Sequence, residues 1–224
     1  MTPRITHLAF DEWVAHVFDH DVGKPEWYFD VDSDVWDAPP AMTIEYMTRL
    51  FEHPIPRLGR YTDEQLAQGF WYLVPSPGSE HMLVLLDETV PFEARARCLR
   101  SMRTLFAEVF AVRCPPYLAH LDEPGAGALN IACYMWWEIM PFGPQLSGTS
   151  RKRFDTQVVT LMRDILAIDA IPPQESALHG LDHWITRRYQ RTIRTIIDRF
   201  IDRNPSMRSE LLAYARRARD GGVQ

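Results

Sequence analysis

The chain of 224 residues has only three cysteines, Cys98, Cys114 and Cys133. The number is odd and the spacing does not suit a metal, which excludes a disulfide framework or a zinc ribbon and fits buried thiols in a reducing compartment. Lysine is almost absent, since 22 of the 24 basic residues are arginine. There is no glycine-rich phosphate loop, no GxSxG and no CxxC, so no cofactor is expected from a motif. No apolar run approaches the roughly 20 residues that span a bilayer, and the opening MTPRITHLAFDEW lacks a signal-peptide core. These absences predict a cytoplasmic protein without a membrane partner.

What is present is a folding composition, 46% hydrophobic and 12% aromatic, well above that of disordered chains. The net charge of −6 is unevenly spread. Residues 1–40 hold nine acidic and two basic residues, and residues 151–224 hold fourteen basic and nine acidic ones. The acidic front end argues against nucleic acid as the main partner. In the basic end, Arg199–Asp202 and Asp198–Arg203 follow helical spacing and predict a solvated face laced with ion pairs.

Periodicity predicts an all-α fold of about ten helices. A first helix is expected from Thr6 (N-cap) to Asp19, with Phe10, Trp13, Val14, Val17 and Phe18 on one stripe. A segment of about twenty residues without helical period follows, and its Trp27, Tyr28, Phe29 and Trp36 predict an ordered surface loop. Thr62–Gln65 reads as a capping box. Pro91 opens a long helix through Ala111, and residues 128–140 read as a nearly all-round apolar helix. The best-patterned stretch is 172–204. Ala177, Leu178, Leu181, Trp184 and Ile185 share an arc of about 120°, and Ile193, Ile196, Ile197, Phe200 and Ile201 form a second stripe. Two such helices cannot bury both stripes alone and must dock on others. Asn204–Pro205 is expected to start a last helix that ends in arginines before Gly221. No composition break divides residues 1–224, so a single domain is expected: an aromatic-rich part over 1–112 and helical hairpins over 127–224.

The 172–201 hairpin, with small and apolar residues on its first helix and isoleucines on its second, resembles a HEAT-type repeat over about a third of the chain. The strings QGFWYLV (68–74), CYMWWE (133–138), QESALHGLDHW (174–184) and ELLAYARRARDGG (210–222) resemble a bacterial family of helical proteins with no assigned activity. That resemblance implies an α–α superhelix in the C-terminal half and a bacterial origin. HEAT-like folds mostly serve as binding scaffolds, which implies a role by analogy of fold alone.

Two constellations carry chemistry. His179, Asp182 and His183 place two imidazoles at i and i+4 with an acid between them, an arrangement suited to zinc. The pattern resembles the HxxEH of inverted zinc peptidases, with Asp182 one methylene shorter than the usual glutamate. On the helical wheel the three lie opposite the apolar stripe, so they are expected on a polar face. The second constellation is Asp30, Asp32, Asp34 and Asp37 interleaved with Trp27, Tyr28 and Trp36. It lacks the glycine and terminal glutamate of an EF-hand loop. Aromatic anchors among carboxylates suit a protein partner with a basic surface. The leading expectation is therefore a non-catalytic scaffold, most concretely an immunity or adaptor protein that uses this acidic, aromatic surface on a toxin or effector. The alternative is a metal-dependent hydrolase built on His179, Asp182 and His183.

Overall fold

A computed structural model of the chain describes residues 4–30, 32–74, 79–144 and 151–223. The described residues form α1 (Phe10–Phe18), α2 (Pro40–Glu52), α3 (Ile55–Leu58), α4 (Asp63–Leu73), α5 (Phe92–Leu105), α6 (Ala111–Arg113), α7 (Ala128–Met135), α8 (Arg151–Leu166), α9 (Ile171–His183), α10 (Gln190–Arg203) and α11 (Ser209–Asp220). The class is all-α, as the periodicity predicts. The one sheet is a parallel pair of two-residue strands, β1 (Arg4–Ile5) and β2 (Val35–Trp36). Among the described residues no helix is long and apolar enough to cross a membrane.

Local chemistry sets several boundaries. Thr62 and Gln65 exchange the two hydrogen bonds of a capping box, Thr62 N to Oε1 at 3.1 Å and Gln65 N to Oγ1 at 3.2 Å, and α4 starts there. The first helix begins at Phe10, four residues after Thr6, because residues 4 and 5 pair with β2 and Glu12 caps the amide of Ala9 at 2.8 Å. Asn204 closes α10 instead of opening α11, its Nδ2 donating to the Phe200 carbonyl at 2.8 Å. The long helix from Phe92 continues past Ala111 to Arg113 through a π-helical turn at Phe106–Phe110. Residues 128–140 do not stay helical: α7 ends at Met135, and Trp136–Glu138 form a turn.

The packing starts with α1 on α4 and α2 on α5. Next, α4 meets α7, and α5 meets α8. Trp136 sits at the junction, with the rings of Phe51, Phe70, Phe106 and Phe110 between 5.7 and 6.4 Å away. In the C-terminal half α9 packs chiefly against α7, α8 and α11. It touches α10 lightly, and α10 rests mainly on α11. One contiguous hydrophobic cluster runs from Phe10 to Ala218.

This packing corrects the expected polar face. Every residue of α9 from Pro172 to Asp182 is buried, His179 and Asp182 included, and only the end residues Ile171 and His183 are partly exposed. The wheel separates apolar from polar correctly, but the polar side is covered too and finds partners there. Ser176 Oγ donates to the Cys133 carbonyl at 2.5 Å. Glu175 accepts from the amides of Ala119 and His120, each at 3.0 Å. Buried polar groups survive when paired in this way.

Candidate metal centre

The three ligand-bearing atoms come from α9 and from the turn after α7. His179 Nε2 lies 3.2 Å from His183 Nε2 and 2.9 Å from Glu138 Oε2. All three ligand atoms fall within 4.8 Å of one another. An ion with tetrahedral bonds of about 2.05 Å holds its ligand atoms about 3.3 Å apart. The His179–His183 separation matches that figure, and the His179–Glu138 one is shorter than it.

Gly180 explains how Glu138 arrives. A Cβ at this position would meet Cγ of Trp137 at 2.5 Å, Cδ1 at 2.7 Å and Cβ at 2.8 Å. Glycine in mid-helix costs about 1 kcal/mol relative to alanine. Here it lets the Trp137 ring lie directly on α9, where Phe106 of the π-helical turn stacks on it at 6.2 Å. The next residue is Glu138, and seating Trp137 sets its carboxylate beside His179.

His179 is oriented from behind. Its Nδ1 is 2.9 Å from the Tyr214 hydroxyl, which is itself 3.5 Å from the Tyr134 hydroxyl. With the proton on Nδ1, His179 donates to Tyr214 and turns its Nε2 lone pair toward Glu138 and His183. Two imidazole lone pairs and a carboxylate oxygen so arranged repel one another unless a proton or a cation lies between them. Burial pushes the His179 pKa down, and the hydrogen bond to Glu138 offsets part of this. The charged imidazolium is thereby disfavoured. Burial likewise raises the phenols of Tyr214 and Tyr134, keeping them neutral. Behind Tyr214 the His120 ring packs at 4.0 Å, and its Nδ1 is held 2.6 Å from Glu175.

In front, Glu138 and His183 face a cleft of about 340 Å³, walled by Trp137, Met140, Phe142 and Trp184. A metal bound by two imidazoles and one carboxylate keeps a coordination position for water or substrate.

Asp182 does not belong to this centre. Neither of its carboxylate oxygens makes a hydrogen bond of ordinary geometry among the described residues, and the carboxylate lies toward the backbone amides of Gly222 and Val223. They reach it because Gly221 ends α11 in the left-handed region, at φ 81°, and turns the chain back. Burial raises the Asp182 pKa, and those amides offset part of the rise. Glu138 takes the place that the HxxDH reading gave to Asp182. The missed signal was in CYMWWE, an acid at the end of an apolar run; the mid-helix Gly180 points to close packing on its own, and Trp137 supplies it.

The acidic constellation is only partly a surface. Asp30, Asp32, Asp34 and Asp37 are exposed, and Asp37 pairs with Arg4 at 2.7 Å. Tyr28 and Trp27 are half-buried, the latter stacked on His20 at 3.8 Å. Trp36 is buried against Trp13 and His81 and donates to Thr43 Oγ1 at 3.0 Å, so it is withdrawn from any partner surface. Phe29 is the exposed aromatic beside these carboxylates.

Another pairing with the look of chemistry is closed by its tautomer. Ser79 Oγ is 2.5 Å from His81 Nδ1, but His81 Nε2 accepts from the Trp13 indole at 3.0 Å. The neutral ring therefore carries its proton on Nδ1 and cannot act there as a base toward Ser79.

The site thus defines a class, an all-α protein with a two-histidine, one-carboxylate constellation beside a cleft. No protein-family model, curated protein or solved structure matches the chain.

Proposed function

We propose that the chain is a metal-dependent enzyme of hydrolytic type, with Glu138, His179 and His183 as ligands of one divalent ion, zinc first. The observation that carries this reading is the convergence of those three ligand atoms, two of the separations being 2.9 and 3.2 Å. The donor set is the His₂Glu set of catalytic zinc sites, in which the ion lowers the pKa of bound water to about 7. Glu138 and His183 present the ion to the cleft, and Tyr214 fixes the His179 tautomer, as outer-shell partners of metal ligands do.

The test is elemental analysis of protein purified without a histidine tag, stripped with chelator and re-equilibrated with zinc, manganese or iron(II). One ion per chain is expected, with none retained by His183→Ala. Metal-dependent cleavage should then appear against a panel of chromogenic esters and phosphoesters. A chain that takes up no ion, or whose metal content is indifferent to His183→Ala, overturns the assignment.

A second reading is favoured by the four exposed carboxylates around Phe29, the surface expected to hold a basic protein partner such as a toxin or effector. Without Trp36 its anchors reduce to Phe29, Tyr28 and Trp27. Co-purification of a stoichiometric partner that is lost in Asp30→Lys/Asp34→Lys would support it. Co-purification unaffected by those changes would remove it.

A further inference from the structure

Beyond the metal centre, we propose that the groove between α8 and α10 is a binding site for a soluble small molecule bearing a linear oligophosphate or two phosphate groups. The groove has a volume of about 460 Å³, inside the range of small-molecule sites. Four arginines line it, Arg163, Arg188, Arg191 and Arg199, and no carboxylate does. Arg188, Arg191 and Arg199 form no ion pair among the described residues, and Arg163 pairs only with its neighbour Asp164, at 2.8 Å. Neither the Arg199–Asp202 nor the Asp198–Arg203 pair expected from the spacing forms among the described residues, and Asp198 instead reaches across to Arg219 on α11, at 2.5 Å. Asp164 offsets Arg163, and Asp155 lies close enough to Arg188 to interact with it, but Arg191 and Arg199 add charge beyond these, and such a gathering is self-repulsive without a further counter-charge.

The groove has two charged ends. Tyr189 neighbours Thr156, so Arg188 and Arg191 sit at the Thr156 end of α8. Arg163 shares the other end with Arg199 and Ile196. The seven residues from Thr156 to Arg163 separate these ends by about 10 Å at 1.5 Å per residue. Each end has one arginine held in place: Arg188 stands over the Tyr189 ring, 5.1 Å from its centre, and Arg163 is fixed by Asp164. Between the ends, Thr160 and Thr192 supply hydroxyl groups. Arginine forks match phosphate oxygens, and hydroxyls complete such contacts. A nucleic-acid strand is the weaker fit. The one aromatic ring in the groove, Tyr189, is buried under Arg188, which leaves no exposed stacking platform.

The test uses inorganic tripolyphosphate and calorimetry at physiological salt. The protein carries His183→Ala and is freed of metal, so that chelation at the other centre cannot contribute. Saturable binding at one site per chain is expected, at least tenfold tighter than orthophosphate. Arg191→Gln/Arg199→Gln should weaken it at least tenfold while leaving the helical signal and melting temperature near those of the parent. Equal binding of orthophosphate and tripolyphosphate, or indifference to the arginine changes, overturns the proposal. So does a single-stranded 20-mer that binds more tightly than tripolyphosphate through the same arginines, which would make the ligand a polymer.

Discussion

Histidines gather at two places in this molecule, and the two places behave oppositely. In the N-terminal half His16, His20 and His81 are walled in by Trp13, Trp27, Trp36 and Tyr72. Trp13 binds the Nε2 of His81, and His16 meets the Tyr72 hydroxyl at 3.2 Å. Among the described residues no carboxylate completes a ligand set there. In the C-terminal half His179 and His183 turn two nitrogens and the Glu138 carboxylate toward one point. Both clusters put imidazole into the interior. The first surrounds it with aromatic faces and uncharged hydrogen-bond partners, which makes the neutral ring a packing element. The second turns two nitrogens and a carboxylate oxygen on one another, an arrangement that a proton or a cation between them reconciles. Number and burial of histidines do not separate the two cases; the direction of the nitrogens does.

That comparison can be broken or sharpened in graded ways. The largest effect is expected from metal. If the C-terminal cluster holds zinc, adding it at about a thousandfold over its dissociation constant raises unfolding free energy by about 4 kcal/mol. Glu138→Ala should abolish most of that gain, measured by urea denaturation with and without zinc. Equal stabilisation of parent and variant would move the ion elsewhere.

Next comes Gly180→Ala. In an open helix the change would stabilise by about 1 kcal/mol. Against Trp137 it overpacks the site, a penalty of about 1–3 kcal/mol. Lower stability together with weakened zinc affinity is expected, read from denaturation and zinc competition titrations. A variant more stable than the parent would show that the Trp137 contact is not tight.

The N-terminal cluster should announce itself through pH. Burial lowers the His81 pKa to about 3 and, aided by the nearby His20 charge, lowers that of His16 to about 4. The unfolded chain takes up these protons near pH 6.5 while the folded chain refuses them. Stability contributed by the neutral rings is therefore complete above about pH 6.5 and is lost as pH falls toward 4. The expected slope is on the order of 1.4 kcal/mol per pH unit for each ring. His16→Gln should reduce the slope by about half in chelator, and an unchanged slope would reassign it to carboxylates.

The smallest effect is expected at Asp182. Since it faces Gly222 and Val223, Asp182→Asn should leave zinc stoichiometry unchanged, by elemental analysis. Loss of the ion would restore the HxxDH reading.

Much of the fold was legible because it is written in local terms. The capping box at Thr62, the stripe of α1 and the glycine stop after α11 each depend on residues a turn or two apart. The His179–His183 pair was legible for the same reason. What was not legible arrives from a distance. Tyr214 is 35 positions from His179, and Glu138 is 41 positions away. His120 is 55 positions from Glu175. A wheel shows that one side of α9 is polar, but cannot say that the chain returns to cover it. Nor can it show that Trp36 turns inward, which depends on the parallel pairing of β2 with β1 and on the bond to Thr43.

The π-helical turn at 106–110 sets the phase between two helical faces. Such a turn carries one residue more than the α-helix would place in the same ladder, and each residue rotates the chain by about 100°. Upstream of it, Leu99, Met102 and Leu105 face the core. Downstream, Arg113 reaches the carbonyls of Leu58 and Tyr61 at 3.3 and 2.8 Å and the Asp63 carboxylate at 2.7 Å. Excising the exposed Glu108 would let the segment run as unbroken α-helix and would look conservative on paper. It would also swing Arg113 by more than a quarter turn away from the α3–α4 corner and shift Phe106 or Phe110 off Trp136. A single-residue deletion there would act as a change of gear between the two halves of the protein, whereas substitution of the same residue would pass almost unnoticed.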